Sequence, residues 1–325
     1  MTYIDPQVVP IIENMKNFRQ ERGSIVDVSP IQMRENFNND TKKWNAKLPD
    51  IANVADSSID LGSHKIPVRL YDPSPEIKQL PVMLFTHGGG WIVGDLDTNE
   101  RFLRQLSIQA GIRILSIDYP LAPENPFPIA LDCIVEIIKT IYDKCDDWGF
   151  DKDKFCLGGD SAGANLALSA ALDLKDTNIH ILKQITLIYG AFSPISDKPS
   201  FKKFGQGDYG MGAEAMEYFW GLYLQNPELK NNPRAVPLLA KVKGLPPINI
   251  ITGGLDPLQD DSFELIEKLR NNDVKYSHFH YPGMVHGFIS LCIMIDEGER
   301  AIKEMAEVLK NQLFSTLNHQ AHDSC

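Results

Sequence analysis

The sequence predicts an α/β fold, with a mostly parallel central sheet and helices on both of its faces. Three observations carry that prediction. Short apolar runs rich in branched residues recur along the chain, helical patterns lie between them, and a glycine-flanked serine stands at one run-to-helix junction. Alternation of this kind buries each strand on both faces and requires right-handed crossovers between parallel neighbours.

The runs are Val82-Met83-Leu84-Phe85, Ile114-Leu115-Ser116-Ile117, Phe155-Cys156-Leu157-Gly158, Ile185-Thr186-Leu187-Ile188 and Ile248-Asn249-Ile250-Ile251. Each is bounded by Gly, Pro or Asp, as suits a short buried strand. Helical segments are expected near 98–110, 128–145, 161–175 and 260–271, and a further strand at Tyr276–Tyr281. Ahead of residue 50 there are helix signals only. Asp5-Pro6 reads as an N-cap with proline at the first helical position. Val8, Ile11, Ile12, Met15 and Phe18 follow near helical spacing, with a kink expected at Pro10. Ser29-Pro30-Ile31-Gln32 reads as a capping box, followed by Met33, Phe37 and Trp44 on one face. Two short helices cannot bury a core alone, so residues 1–50 are expected to contribute to a helical cap over a main domain at 51–325. The stretch 193–232 breaks the strand–helix rhythm and is rich in Gly and aromatics. With a helix expected at Glu214–Gln225, it reads as a cap insertion.

Length and composition limit the function. The chain has 325 residues, 43% of them hydrophobic, which is enough for one sizeable core and a cap. A formal net charge of −11 disfavours partners bound through phosphates, so neither nucleic acid nor an anionic membrane is expected. The first residues show no basic stretch ahead of an apolar one, and no window reaches the ~20 apolar residues that a spanning helix needs. The five cysteines, Cys133, Cys145, Cys156, Cys292 and Cys325, show neither a CxxC pair nor metal-ligand spacing. They read as reduced structural thiols. A soluble cytoplasmic protein, monomer or homodimer, is the expectation.

Gly159-Asp160-Ser161-Ala162-Gly163 satisfies G-x-S-x-G and sits between a predicted strand and a predicted helix. A serine on so tight a corner needs small neighbours, stands clear of the sheet, and lies at a helix N-terminus that favours nearby negative charge. His87-Gly88-Gly89-Gly90-Trp91 follows the first buried run. Its glycines let backbone amides approach a ligand, and an acyl-transfer site needs such donors for its oxyanion. Gly88, Gly89 and Ala162 are the expected donors, with His87 anchoring the loop.

A base and its orienting acid must follow. His286 stands in the loop Pro282-Gly283-Met284-Val285-His286-Gly287-Phe288, beyond the last predicted strand, where a side chain can reach a nucleophile on another strand. His319 and His322 lie in the tail, and His64 and His180 in surface segments. His278 and His280 alternate in the strand and read as facing solvent, with a two-histidine metal site as the alternative. Asp256, in Gly253-Gly254-Leu255-Asp256-Pro257-Leu258, is the chosen acid, whereas Asp260 and Asp261 read as helix caps. The order Ser161, Asp256, His286 differs from those of chymotrypsin and subtilisin. Gly205-Gln206-Gly207-Asp208-Tyr209-Gly210 matches G-x-G-x-x-G, but no predicted strand precedes it, so dinucleotide binding is not expected.

With HGGGW, GDSAGAN, LDPLQDD and YPGMVHGF in this order, the chain resembles the hormone-sensitive-lipase-like (family IV) esterases, and among them the bacterial acetyl esterases. The likeness runs over about residues 60–310. It extends to Gly94-Asp95-Leu96-Asp97-Thr98, to Asp118-Tyr119-Pro120-Leu121-Ala122-Pro123-Glu124 and to Phe127-Pro128. Pro120 and Asp261 depart from the arginine and glutamate common there. The resemblance implies an α/β-hydrolase fold with a helical cap and a nucleophile, acid and base at Ser161, Asp256 and His286. It also implies hydrolysis of short-chain acyl esters through an acyl-enzyme, without metal or cofactor. Candidate residues of the substrate pocket are Trp91, Asp160, Phe192, Tyr209, Leu258 and Val285. Two readings of the aromatics Trp91, Phe192, Phe204, Tyr209, Phe219 and Trp220 stand side by side: they crowd the pocket, or they pack the cap onto the sheet. An amidase or deacetylase on the same fold is the first rival, and a non-catalytic small-molecule receptor the second.

Overall fold

A computed structural model describes residues 2–62 and 64–314. Two helices lead the chain, α1 (Val9–Arg22) and α2 (Pro30–Trp44), followed by strands β1 (Asn53–Asp60), β2 (Lys65–Asp72) and β3 (Leu80–Thr86). Strands and helices then alternate: α3 (Glu100–Ala110), β4 (Arg113–Ile117), α4 (Ile129–Asp143), α5 (Cys145–Trp148), β5 (Phe150–Asp160), α6 (Ala162–Asp176) and β6 (Leu182–Ile188). Beyond β6, in the stretch expected as an insertion, come α7 (Pro199–Phe204) and α8 (Ala213–Leu224). The chain then runs through β7 (Ile248–Gly253), α9 (Gln259–Arg270), β8 (Tyr276–Tyr281) and α10 (Asp296–Phe314).

Among the described residues one eight-stranded sheet forms, in the order β1-β2-β4-β3-β5-β6-β7-β8. Every neighbouring pair from β4 to β8 is parallel, while β1 and β2 join antiparallel at one edge. All seven residues of β3 and all five of β4 are buried, as their mostly apolar sequences suit, and Arg113 of β4 is buried paired with Asp72 at 2.8 Å. Alternate side chains of β3 serve opposite faces. Val82 and Leu84 pack with α4 and α6, and Met83 and Phe85 with α3 and α10. The sequence did not mark β1 and β2. Only Ile59 of β1 is buried, so its Asn, Asp and Ser residues carry no apolar signal on the outer edge.

The N-terminal helices differ in detail from the expectation. Asp5 Oδ1 accepts the Gln7 N–H at 2.8 Å and closes a turn, and α1 begins only at Val9. Pro10 therefore falls in the first turn, where a missing N–H breaks no helical bond, and the reason for a kink disappears. The side chain of Phe18 and the residues His319, His322 and Cys325 lie outside the described positions. Ser29 does cap α2, with its hydroxyl accepting the Gln32 N–H at 3.2 Å. The other four cysteines are buried and free.

Asp260 and Asp261 are not the caps of α9 that their positions suggest; they fasten the insertion. Asp260 Oδ2 accepts the Ser200 N–H at 2.8 Å. Asp261 Oδ2 accepts the N–H groups of Phe192 and Ser193, at 2.8 and 2.9 Å, and Oδ1 pairs with the buried Lys198 ammonium at 2.6 Å. Burial raises the Asp261 carboxyl to about 6, and Lys198 and the two amides oppose that rise. Asp261→Ala would leave Lys198 with Glu264 as its remaining partner and orphan two buried amides. It is expected to lower stability by about 3 kcal/mol in urea unfolding, and an unchanged midpoint would contradict this account of how the insertion is held.

Candidate active site

Ser161 is the single residue between β5 and α6, at φ 52° and ψ −119°. A side chain at positive φ is strained and persists only where its surroundings impose the turn. Here they do. The Ser161 N–H donates to Ile188 O at 2.8 Å. A Cβ on Gly159 would come within 2.5 Å of the Gly163 carbonyl, and one on Gly163 within 2.0 Å of Thr86 O. Both flanking glycines are thus dictated by backbone contact.

The Asp256 and His286 loops lie against each other just beyond β7 and β8. A Cβ on Gly254 would meet Pro282 O at 2.2 Å, and the Leu255 N–H donates to Met284 O at 2.9 Å. This close approach brings Asp256 Oδ2 to 2.7 Å from His286 Nδ1. Asp256 Oδ1 accepts the Leu258 N–H at 2.8 Å, so the fully buried carboxylate is satisfied on both oxygens. With Nδ1 bearing the proton, His286 Nε2 is the acceptor facing Ser161 Oγ at 2.9 Å. The three side chains that the sequence singled out meet in one hydrogen-bonded line.

One predicted donor needs correction. The Gly88 N–H is already bonded to Asp160 Oδ1 at 2.8 Å and is not available to a substrate. Among the described residues, the amides of Gly89, Gly90 and Ala162 have no partner within the protein. His87 anchors this loop as expected. Its Nδ1–H donates to Gly88 O at 2.7 Å, its ring stacks on Tyr119 at 4.4 Å, and the Tyr119 hydroxyl donates to His87 O at 2.7 Å. Burial lowers the His87 pKa and keeps the ring neutral.

A cavity of about 910 Å³ opens over Ser161 and His286. Gly89, Gly90 and Tyr189 flank its floor, and Met15, Met33, Phe37, Met216 and Phe219 line its apolar walls. Of the six predicted pocket residues only Asp160 borders it. Trp91 is stacked on Tyr223 at 4.5 Å and lies 4.4 Å from Trp220, fixing α8 to the HGGGW loop. Phe192, Leu258 and Val285 are buried in the core, and Tyr209 packs edge-on against Phe204 at 5.4 Å. Of the aromatics weighed from the sequence, Phe219 alone faces the cavity; the rest pack the insertion and its neighbours together. The G-x-G-x-x-G segment follows α7, not a strand, and its three glycines border the same cavity. His278 and His280 share the Thr252 hydroxyl, at 2.8 and 2.9 Å, and the described residues contain no metal-binding cluster.

Residues 83–290 match the family described as the alpha/beta hydrolase fold. An acetyl esterase of Salmonella choleraesuis (strain SC-B67) is 30% identical over 266 residues, 81% of each protein. The chain belongs to the hormone-sensitive-lipase-like esterases of the α/β-hydrolase fold. Solved structures similar to it are also esterases. One is the hyperthermophilic esterase of Pyrobaculum calidifontis (TM-score 0.88, 29% identity, covering 95% of this chain and 98% of that one). Another is a thermostable carboxylesterase from a metagenomic library (TM-score 0.86, 30% identity, covering 89% and 99%). A third, an ester hydrolase from the Lake Arreo metagenome, was solved with a bipyridine phosphonate derivative (TM-score 0.91, 28% identity, covering 96% and 100%). Among the described residues no helix is long and apolar enough to cross a membrane.

The contact at Gly163 gives a direct check. Gly163→Ala would drive its methyl group into Thr86 O and force the elbow open. Several degrees of lost thermal stability are expected, together with loss of esterase activity; a variant with unchanged Tm would refute the tight-elbow explanation.

Proposed function

We propose that this carboxylic ester hydrolase uses Ser161 as nucleophile, His286 as general base and then acid, and Asp256 to orient and stabilise the imidazole. The observation that carries the reading is the 2.9 Å contact of His286 Nε2 with Ser161 Oγ, with Nδ1 held by Asp256. As Oγ forms its bond to the ester carbonyl carbon, its proton passes to Nε2 and the carbonyl electron pair moves onto oxygen. The oxyanion is assigned to the unpartnered amides of Gly89, Gly90 and Ala162, each worth roughly 3–4 kcal/mol in comparable sites. Collapse breaks the ester C–O bond, and Nε2 returns the proton to the departing alcohol. Water then attacks the acyl-enzyme, its proton taken by Nε2, and Ser161 is regenerated as the acid leaves.

Residues 1–50 and 193–232 are read as the cap, because both contribute walls to the cavity over Ser161. Short acyl esters are the proposed substrates, by analogy with the acetyl esterases that the chain resembles. The cavity leaves room for a larger group on one side of the ester.

Hydrolysis of p-nitrophenyl esters from acetate to dodecanoate tests this. The shortest chains should react fastest, and Ser161→Ala should lose at least about 10⁴-fold in kcat. Wild-type inactivity across the series, or a mutant matching wild type, would each contradict the mechanism.

A further inference from the structure

Asn99 and Ser290 play no part in the reaction as derived, yet their side chains meet beside the nucleophile. Asn99 is the N-cap of α3, where an asparagine ordinarily accepts an N–H from the first helical turn. It makes no such bond. Its Nδ2 donates instead to Asp160 Oδ1 at 2.7 Å, and its Oδ1 accepts from Ser290 Oγ at 3.1 Å. The same Asp160 oxygen takes the Gly88 N–H at 2.8 Å. The Tyr189 ring lies 4.8 Å from the His286 imidazole. Asn99 and Asp160 are buried, so water competes little for the bonds of the Asp160 carboxylate with Asn99 and Gly88.

The chain of bonds joins three loops. Gly88 directly precedes the two glycines whose amides are assigned to the oxyanion, Asp160 directly precedes Ser161, and Ser290 lies in the short helical turn just after His286. We propose that Asn99 and Ser290 are positioning residues that hold the amide loop and the base loop in register with Ser161 through the Asp160 carboxylate. The proposal rests on the esterase reading above. A helix cap forgone in favour of a buried link across the site is what such a role requires.

The link has a pH signature. Burial raises the Asp160 carboxyl to about 6, opposed by the Gly88 N–H, the Asn99 amide and the nearby His286. Tyr119 and Tyr189 also face it, and burial raises both phenols well above their ordinary value, so they stay neutral. The charged carboxylate, the better acceptor, is present above this range and lost as pH falls through it. Removing the Asn99 donor takes away a bond to the charged form. That pushes Asp160 higher still and moves the loss of activity to higher pH.

The test compares kcat, KM and the pH profile from 5 to 9 on p-nitrophenyl acetate. The variants are Asn99→Ala, Ser290→Ala, Asp160→Asn and the Asn99→Ala/Asp160→Asn double variant. Asn99→Ala should lower kcat about tenfold, leave KM within about twofold, and shift the acid limb upward by roughly one unit. Ser290→Ala, which removes one oxygen and keeps the fold, should move kcat and the profile in the same direction by less. It decides the matter should Asn99→Ala fail to fold. With Asp160→Asn an acceptor oxygen remains but nothing titrates, so adding Asn99→Ala should no longer shift the profile. Variants with the wild-type kcat and profile, changed only in Tm, would overturn the positioning role. A wild type inactive on esters, or matched by Ser161→Ala, would instead sink the esterase reading on which it rests.

Discussion

The site depends on one backbone constraint, the positive φ at Ser161. A strand buried on both faces must turn into a helix within a single residue. That geometry costs on the order of 1–3 kcal/mol for a side chain other than glycine. The surroundings hold it by removing alternatives. Gly159 and Gly163 let the turn close on itself and on Thr86, while Ile188 O takes the Ser161 N–H from the neighbouring strand. Relaxing the turn would break that bond and open a void beneath α6, whose residues from Ala162 to Leu172 are all buried. The strain persists because the core has no other way to pack.

Buried charge is the second constraint, and the fold treats its acids differently. Asp256 is fully buried, with one oxygen committed to His286 and the other to the Leu258 amide. Asp160 and Asp261 are buried as well, and burial raises both to about 6. Their bonds run mainly to backbone amides of loops, so they act as fasteners. Asp160 secures the HGGGW loop and Asp261 the start of the insertion. A buried carboxylate is costly, which makes each of these loops hard to displace once it is docked. The cavity itself is flanked by the Gly88–Gly90 loop, the His286 loop and the softer methionine-lined wall of α1, α2 and α8.

Much of this was legible in the sequence, for identifiable reasons. Each of the strands β3 to β7 contains a short, mostly apolar run, and the three side chains proposed as catalytic sit in loops directly after strands, where glycines punctuate the chain. The edge strand β1 was not legible, because a solvated strand carries polar residues like those of a loop, and its neighbour β2 breaks its buried Ile66, Val68 and Tyr71 with Pro67 and Arg69. The identity of the free amides was hidden too. Gly88 and Gly90 look alike in sequence, and only the Asp160 side chain, distant along the chain, removes Gly88. Trp91 and Phe192 have the composition of pocket residues and the burial of core residues, a difference set by packing alone. Asn99 was invisible for the opposite reason. Its position at a helix start explains an asparagine so well that nothing points to its use elsewhere.

The central claim, that Ser161 carries the acyl group, is tested most directly by trapping the intermediate. The enzyme would be mixed with p-nitrophenyl acetate, quenched in acid within the first turnovers, digested and analysed by mass spectrometry. An acetyl group on the peptide containing Ser161, absent from Ser161→Ala and accumulating with the burst of nitrophenol, is the predicted result. Turnover with that peptide unmodified, or with the acetyl group on another residue, would contradict the account.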